Sequence, residues 1–431
     1  MTGPGPSAHV PGRLEIAVLV SLLVFYSGAL VTFIASPDDG ETPLVRLMWP
    51  PLYLGVLVLA ATTWRQTWRS VTATPLILIL VLFVIASAAW SINPGVTLRR
   101  SVAVLITSLL GWTLAARYGW LWMLRILGLT WAILSFGSLL VGLFLPSIGR
   151  MHEVHVGAWQ GLWWEKNALG GEMARASLLF GVLTMGDRKW RGLWALGFGL
   201  SVLLVLLSTS KTALLGVFLG AGVIALGLLV RKSARATLLS IWIATTAVTC
   251  LAMALLFTPD AVFNLLGRDA TLTGRTDIWA AIGQALAERP WLGYGYGVFW
   301  LPESDPGNIL REKVAWAAPS AHNGWLEVCL ALGPVALGIF ILSYGSALMR
   351  ALSGLRMNWG HLYALGFLAQ YSLFSVSESI ILKQNSLLWA TFVAVVAKLA
   401  VGLKVPGHFR PPAALLMRWR AEGREVRRSG A

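Results

Sequence analysis

The chain has 431 residues, of which 57% are hydrophobic and only 12% are charged, whereas about a quarter of the residues in an ordinary soluble domain carry charge. This composition excludes a soluble globular enzyme. Lys and Arg outnumber Asp and Glu by 34 to 19, giving a formal charge of +15. In a membrane protein such an excess indicates topology and anionic lipid rather than a nucleic-acid partner.

Apolar runs of about 20 residues, each long enough to cross roughly 30 Å of hydrocarbon, recur along the whole chain. Because only closed barrels and helices satisfy their backbone groups in lipid, and no alternation typical of barrel strands is present, the fold class is predicted to be all-α. Twelve transmembrane helices are expected, near residues 14–35, 44–63, 74–90, 98–116, 121–145, 168–185, 192–207, 211–230, 236–258, 323–348, 358–380 and 384–403. The first run lacks a small-residue cleavage pattern, which favours an uncleaved span over a signal peptide.

The basic residues of the loops indicate the orientation. If both termini are cytoplasmic, most Lys and Arg of the short loops fall on the cytoplasmic side, as the positive-inside rule requires. The chain then divides into nine helices (1–258), a long external segment (259–321), three helices (322–404) and a basic cytoplasmic tail (405–431) that is expected to contact anionic headgroups. The external side is the periplasm in a Gram-negative cell.

The long external segment is predicted to contain a short amphipathic helix. Within residues 276–288, Ile278, Ile282 and Leu286 recur every four positions, and Pro290 ends the run. The run is too short to span a bilayer, so we expect this helix to lie at the membrane interface. Residues 293–297 (Gly-Tyr-Gly-Tyr-Gly) predict a glycine-rich turn after it.

Several cations fall on the external side, against the positive-inside rule. Fixed cations that converge at helix ends suit an anionic, phosphate-bearing substrate. The alternative is that each cation only snorkels to headgroups or pairs with Glu165, Asp277 or Glu378. The predicted substrate-binding cations are Arg99, Arg100, Lys166, Lys211, Arg275 and Lys383. Asn167, Asn323 and Glu378 are further candidates for substrate binding, and Arg275 is also a candidate catalytic residue.

His322 opens the tenth predicted span, followed by Asn323, and a neutral imidazole there has the chemistry of a general base for a hydroxyl group. A helix-capping histidine is the alternative. Glu327 lies about 140° away from His322 on a helix, at 100° per residue, which makes it a poor orienter of the imidazole. Glu378 is the better candidate through a tertiary contact, unless it pairs with Lys383. Within the sixth span, Glu172 and Arg175 are expected to neutralise each other.

The sequence lacks the signatures of several enzyme classes. Residues 208–212 (Ser-Thr-Ser-Lys-Thr) are only superficially similar to a phosphate loop, since the two glycines are missing. No dinucleotide fingerprint, serine-nucleophile elbow or His-Glu-x-x-His motif is present, and Cys250 and Cys329 have no CxxC partner that would indicate a disulfide framework or zinc site. No metal and no cofactor is expected, so a reaction would have to carry its energy in the substrate.

Four motifs resemble the O-antigen ligase and polymerase superfamily, including exopolysaccharide polymerases of the ExoQ type. They follow one another along the chain in the order that this superfamily shows. The strongest is residues 322–327 (His-Asn-Gly-Trp-Leu-Glu) with Gly333 and Gly338 further along the helix. It is preceded by residues 208–212, by residues 274–279 (Gly-Arg-Thr-Asp-Ile-Trp) and by residues 290–295 (Pro-Trp-Leu-Gly-Tyr-Gly).

The resemblance implies a membrane glycosyltransferase of the C type (GT-C) in the bacterial inner membrane, with a periplasmic active site. Such enzymes move a glycan from undecaprenyl diphosphate to a sugar hydroxyl with inversion and without a metal. The resemblance gives His322 the role of activating the acceptor hydroxyl, and Arg275 and Lys211 the role of holding the diphosphate. Lys211 stands where relatives often have arginine, which replaces a bidentate fork with a point charge.

The acceptor separates two enzymes that share this chemistry. Residues 90–101 and the Trp-rich residues 157–170 resemble ExoQ-type proteins more than ligases, which favours a polymerase of lipid-linked repeat units, with a chain-length regulator as a partner. The Trp-rich loop suits either stacking on sugar rings or an interfacial aromatic belt. The alternatives are a ligase that uses lipid A-core as acceptor and, from another class, a flippase of the same lipid-linked oligosaccharide. A flippase should place cations near the bilayer midplane on both halves of the chain.

Overall fold

The computed structural model describes residues 9–35, 42–153, 155–233, 235–239, 242–243, 246, 275–314, 317–356 and 358–401. Within these ranges the chain is almost entirely helical, and strand-like pairing is limited to an isolated bridge between Arg150 and Trp159. The all-α prediction is therefore confirmed for the described part. The helices are α1 (Arg13–Tyr26), α2 (Pro43–Thr62), α3 (Trp64–Thr72), α4 (Pro75–Ala86), α5 (Pro94–Arg117), α6 (Trp120–Phe144), α7 (Pro146–Gly149), α8 (Lys166–Gly186), α9 (Arg191–Leu207), α10 (Lys211–Val230), α11 (Arg275–Glu288), α12 (Asp305–Val314), α13 (Gly324–Ser353), α14 (Trp359–Ser377) and α15 (Leu387–Val401).

Six described helices are long and apolar enough to cross a membrane, namely α2, α5, α6, α9 with its preceding turn, α10 and α13. A seventh span results if α3 and the segment Pro75–Ala89 are counted together, although the two are bent by 92°. Most of the other predicted spans are helical but are either shorter, as α1 and α15 are, or more polar, as α8 and α14 are. The span expected at 236–258 lies largely outside the described residues. The number twelve is not confirmed and stays a prediction.

Two helices, α8 and α15, form the centre of the bundle, because every residue of 169–183 and of 387–399 is buried. A helix that is buried all round must neutralise any charge it carries. In α8, Arg175 Nη2 donates to Glu172 Oε1 at 2.7 Å, and Trp131 Nε1 donates to the second oxygen of this carboxylate at 2.9 Å. The predicted Glu172–Arg175 pair is confirmed.

The amphipathic helix of the long segment is confirmed at Arg275–Glu288, but its apolar face does not face lipid. Ile278 and Ile282 are fully buried in a second, smaller core that also contains Tyr294, Phe299 and Leu310. Protein therefore covers this apolar face, and the position of the helix at the membrane interface stays a prediction. The four-residue spacing indicates that one face of the helix is buried, but it does not indicate whether protein or lipid covers that face.

Helix α13 is broken at Gly333, which adopts φ +77°, and is followed by Pro334. Proline has no N–H, so the carbonyl of Leu330 loses the intrahelical donor that would normally come from position 334. The glycine-rich turn replaces it, because Tyr294 N donates to Leu330 O at 3.0 Å and Gly295 N donates to Ala331 O at 2.9 Å. Non-helical backbone in a membrane span is stable where protein buries it in this way.

At the other end of α13, basic side chains cap the carboxyl termini of neighbouring helices. Arg231, which follows α10, donates from Nε to Leu355 O at 2.7 Å and from Nη2 to Asn358 O at 2.9 Å. Arg356, which follows α13, donates back from Nε to Val230 O at 3.3 Å. Each helix end thus receives a positive charge from its neighbour, as the helix dipole favours.

Helix α5 has a similar cap from the buried centre of the bundle. Lys398 of α15 is only 2% exposed. Its Nζ donates to Ala115 O at 3.0 Å and also to Tyr118 O. The ammonium group therefore satisfies two carbonyls at the α5 terminus that lack intrahelical donors.

Candidate active site

His322 lies in the short loop before α13, in an unusual backbone conformation. Its φ of +46° is left-handed, which a residue other than glycine adopts only at a cost of about 1–3 kcal/mol. The side chain is 16% exposed, and its Nδ1 lies 3.8 Å from Glu378 Oε2. This distance is longer than a hydrogen bond but places the carboxylate beside the imidazole. The structure therefore brings together the predicted base and its predicted orienter.

Asn323 caps α13. Its Oδ1 accepts the backbone N–H groups of Trp325 and Leu326 at 3.0 and 3.2 Å, which is the usual work of an asparagine at this position. This oxygen is therefore committed to the helix end. Contact of Asn323 with substrate stays a prediction.

The loop before His322 is anchored to α11. Trp279 Nε1 donates to the carbonyl of Ala321 at 3.0 Å. Arg275 begins α11 one turn, about 6 Å, before Trp279, so the first turn of that helix is tied to the His322 loop. The side chain of Arg275 lies outside the described residues, and its proposed contact with a diphosphate stays a prediction.

The predicted cations of α8 and α10 belong to a second cluster. Lys166 Nζ lies 3.4 Å from Thr209 Oγ1, and Ser210 Oγ donates to Asn167 Oδ1 at 2.9 Å. Thr209 also adopts a left-handed φ, of +52°. Lys211 is the first residue of α10 and is exposed. Residues 208–212 thus contact Lys166 and Asn167, and a shared binding site stays a prediction.

Close packing permits this meeting of helix starts. A Cβ atom placed on Gly170 would lie 2.8 Å from Ala213 Cβ and 2.9 Å from Ser208 Oγ. A larger side chain at position 170 would therefore push α8 away from α10. The two amino termini converge because α8 has glycine at the point of contact.

Helices α10 and α14 run antiparallel, which places the second cluster at the same end of the bundle as His322. Gly216, near the start of α10, faces Phe374, near the end of α14, whereas Gly227 faces Leu362 at the opposite ends. At 1.5 Å per residue, the start of α10 lies about 7.5 Å beyond the first of these contacts, and position 378 lies about 6 Å beyond it. Lys166, Asn167 and Lys211 therefore lie at the same end of the bundle as His322 and Glu378, and their union in one site stays a prediction.

Arg100 has a structural partner in the glycine-rich turn, since its Nη1 donates to the carbonyl of Gly297. Arg99 is exposed on the adjacent position of α5. Thr97 Oγ1 also donates to Tyr296 O at 3.1 Å, so the start of α5 holds this turn in place. For Arg100, support of the turn accounts for the position without any substrate.

Lys383 is exposed in the loop between α14 and α15. This loop is tied to the same glycine-rich turn, because Tyr296 Oη lies 2.6 Å from both Leu382 O and Gln384 Oε1. The turn thus links the loop that carries Glu378 and Lys383 to the start of α5. Substrate binding by Lys383 stays a prediction.

Two tryptophans of the Trp-rich loop pack into the protein core. Trp159 and Trp163 are 7% and 8% exposed, and Trp163 Nε1 donates to Ser27 O at 3.1 Å. These two rings belong to the protein core, whereas Trp164 is only partly buried, and its stacking on sugar rings or its place in an aromatic belt stays a prediction. In the part of the chain that the structure describes, no three His, Cys, Asp or Glu side chains are grouped closely enough to hold a metal ion.

Comparison with known proteins adds to this geometry. Residues 196–341 match a family model described as O-antigen ligase. The chain is also similar to the exopolysaccharide production protein ExoQ of Rhizobium meliloti (strain 1021), with 24% identity over 345 residues, covering 76% of this chain and 74% of that protein. The chain is thus similar to O-antigen ligases over residues 196–341 and to ExoQ over most of its length.

The family region contains Lys211, Arg275 and His322, whereas Lys166 and Glu378 lie outside it. The structure nevertheless brings these outlying side chains to the family region, as the antiparallel packing of α10 and α14 shows. The candidate site thus includes side chains from the matched region and from helices on both sides of it.

Proposed function

We propose that the protein is a membrane glycosyltransferase that polymerises lipid-linked repeat units of an O-antigen or exopolysaccharide. It would move a glycan from undecaprenyl diphosphate to a sugar hydroxyl at the periplasmic face of the bacterial inner membrane. The observation that carries this proposal is the placement of His322, in a left-handed conformation, beside the Glu378 carboxylate within the bundle end that also holds Lys166 and Lys211.

The reaction balances without a cofactor. His322 takes the proton of the acceptor hydroxyl, and the resulting oxygen attacks the anomeric carbon of the donor sugar from the side opposite the diphosphate. The bond between that carbon and the diphosphate oxygen breaks, and undecaprenyl diphosphate leaves with the electron pair. Fixed cations stabilise the charge that grows on the leaving group, and Lys211, Lys166 and Arg275 are assigned this work.

A polymerase is favoured over a ligase by the extent of the two similarities. The similarity to ExoQ, an exopolysaccharide production protein, extends over 345 residues, whereas the O-antigen ligase model matches residues 196–341. A ligase that transfers the glycan to lipid A-core remains the second candidate. A flippase is disfavoured because the described candidate cations gather at one end of the bundle rather than at mid-depth in both halves.

Both termini are assigned to the cytoplasm and the His322 end to the periplasm, on the positive-inside rule. The arginine caps at the opposite end of α13 support this orientation, since Arg231 and Arg356 then lie on the cytoplasmic side. Donor, acceptor and membrane lipid are the assigned partners, together with a regulator of chain length.

The test uses the full-length protein in lipid nanodiscs with an undecaprenyl-diphosphate-linked repeat unit from its host, with and without lipid A-core, and with EDTA in a parallel sample. Longer lipid-linked chains, formed equally in EDTA, are expected. Glycan attached to the core instead would establish a ligase. Substrate that stays unchanged in every sample would refute transferase activity.

The matched variants are His322→Ala and His155→Ala. His155 is a second histidine with a left-handed φ, of +60°, and is exposed, so that both variants lose an imidazole from the same backbone conformation. We expect His322→Ala to lose about 100-fold or more in turnover, as the removal of a general base does, and His155→Ala to stay near wild type.

A further inference from the structure

We propose that Glu327 is a positioning residue that keeps His322 and Glu378 side by side. It acts through the backbone N–H of Ala321, next to His322, and through the hydroxyl of Ser379, next to Glu378. This inference rests on the proposed function and deepens it. The Glu327 carboxylate is hydrogen-bonded to the residue before His322 and to the residue after Glu378, so its proposed effect passes through these two segments.

The two carboxylate oxygens of Glu327 serve three donors from three separate segments. Oε2 accepts the backbone N–H of Ala321 at 2.9 Å and the hydroxyl of Ser379 at 3.1 Å. Oε1 accepts the indole N–H of Trp300 at 3.0 Å. Ala321 directly precedes His322, and Ser379 directly follows Glu378. One oxygen therefore links the two segments that carry the proposed base and its orienter.

The left-handed backbone of His322 explains why such a link is needed. A residue in this conformation persists only when its surroundings fix it on both sides. On the side before His322, Ala321 is held by Glu327 and, through its carbonyl, by Trp279. On the side after it, Asn323 caps α13. Loss of the Glu327 contact removes one of the restraints on the loop.

A carboxylate suits this place better than an amide. All three partners are hydrogen-bond donors. A carboxylate accepts at both of its oxygens, whereas a glutamine accepts only at its amide oxygen, because its amide nitrogen only donates. A glutamine at position 327 would keep the contacts of one oxygen and confront the remaining donor with N–H groups. Buried polar groups left in such opposition destabilise the arrangement.

The alternative is a purely structural role, in which Glu327→Ala lowers turnover only because Glu327 no longer holds Trp300. The variant Trp300→Phe separates the two, because it keeps a large ring and removes only the donor to Oε1. If Glu327 acts on the His322 and Glu378 segments, Trp300→Phe stays close to wild type in turnover. If it acts through Trp300, this variant reproduces the defect of Glu327→Ala.

The first measurement does not depend on glycan transfer. The full-length protein in nanodiscs is treated with diethyl pyrocarbonate, and modification of His322 is followed by mass spectrometry, with the exposed His152 as internal reference. We expect Glu327→Ala to raise the modification rate of His322 relative to His152 by several-fold, and Trp300→Phe to leave it unchanged. An unchanged rate in Glu327→Ala overturns the proposal, even in a protein that proves to have no transferase activity.

The second measurement is kinetic. We expect Glu327→Ala to lower kcat by about tenfold, a part of what a positioned base contributes, with little change in the KM for the lipid-linked donor. In a protein that already lacks the imidazole, adding Glu327→Ala to His322→Ala should cost nothing more, because residues that act as a unit are not additive. The proposal would be refuted if the two substitutions lowered kcat by independent factors that multiply in the double variant. It would also be refuted if Glu327→Ala changed only KM. If Glu327→Ala does not fold, Glu327→Gln and Ser379→Ala are expected to show the same pattern in weaker form.

Discussion

The backbone N–H of Tyr294 donates to the carbonyl of Leu330 at 3.0 Å, across 36 positions of the chain. This bond exists because Pro334 has no N–H to offer that carbonyl. The glycine-rich turn therefore completes a break in a membrane helix, and the same turn touches the start of α5 and the loop after α14. The positions of the α5 start and of the loop that carries Glu378 and Lys383 therefore depend on how this turn fits the break in α13.

Gly333 makes this fit possible, and Gly333→Ala is expected to lower the thermal unfolding temperature by several degrees. Its φ of +77° disfavours any side chain, and a Cβ atom there would overlap the carbonyl oxygen of Trp291. The left-handed conformation alone costs a non-glycine residue about 1–3 kcal/mol. Gly338→Ala is the control, since a Cβ atom at this position meets nothing within 4 Å. Equal unfolding temperatures for both variants in one detergent would contradict the importance of the break.

Glu378→Gln is expected to lower turnover of the lipid-linked donor by about tenfold, a fraction of the effect of losing the base itself. The glutamine has nearly the same size but lacks the charge that faces Nδ1 of His322 at 3.8 Å. Initial rates at saturating donor measure the effect, with the exposed Glu303→Gln as control. Wild-type turnover in Glu378→Gln, alongside an inactive His322→Ala, would remove the carboxylate from the proposed site.

Lys211→Ala is expected to raise the KM for the lipid-linked donor several-fold, and Lys211→Arg is expected to restore it. An ammonium or guanidinium group at the start of α10 attracts a diphosphate, and arginine adds a planar fork for it. Titration of donor at low and high salt measures the effect, which should shrink as salt screens the charge. The exposed Lys313, bonded to Gln284 at 3.2 Å away from this cluster, is the control, and an equal rise in KM for Lys313→Ala would indicate a general charge effect only.

The contribution of Asp187 to stability is expected to depend on pH. Burial raises the pKa of this carboxyl, but the hydrogen bonds from Arg125, both at 2.7 Å, and from Trp194 outweigh burial and lower the pKa below its ordinary value of 3.8. A folded-state pKa below the unfolded one stabilises the protein at neutral pH, and this stabilisation is lost as the pH falls through the folded-state pKa. The unfolding temperature of wild type should therefore exceed that of Asp187→Asn at pH 7, and the gap should narrow below about pH 4. A gap that stays constant down to pH 3 would contradict this assignment.

Lys398→Met is expected to destabilise the bundle, although methionine is the better residue for an apolar interior. The ammonium group satisfies the carbonyls of Ala115 and Tyr118, and leaving buried carbonyls without donors costs about 1–3 kcal/mol. Thermal unfolding measures the change, with the exposed Lys189→Met as control. An unfolding temperature at or above that of wild type would show that the cap contributes nothing.

Several parts of the molecule follow from the sequence because their signal is local or chemical. The four-residue spacing of Ile278 and Ile282 located α11 to within one residue of its observed start. The spacing of Glu172 and Arg175 predicted their ion pair. The position of Glu378 near the end of its span allowed either a contact with His322 or a pair with Lys383, and the structure places its carboxylate 3.8 Å from His322 Nδ1.

Other parts leave no such signal. The N–H of Ala321 that Glu327 binds would be present whatever residue stood at position 321, so no residue type marks this contact. The break in α13 is visible as Gly333 followed by Pro334, yet the sequence does not say which segment fills it. Helix α12 has no apolar periodicity long enough to predict it, and its Asp305–Pro306 start is the only local signal. The correct partner of an apolar face, protein or lipid, is likewise a property of the whole fold.

The arginines exchanged between the ends of α10 and α13 have two roles, one in the orientation of the chain in the membrane and one in the packing of these helices. Under the proposed orientation, the charges that keep these loops from being translocated are the same charges that close the two helix ends. The loss of Arg231 or Arg356 would therefore weaken the orientation signal and the contacts at these helix ends together.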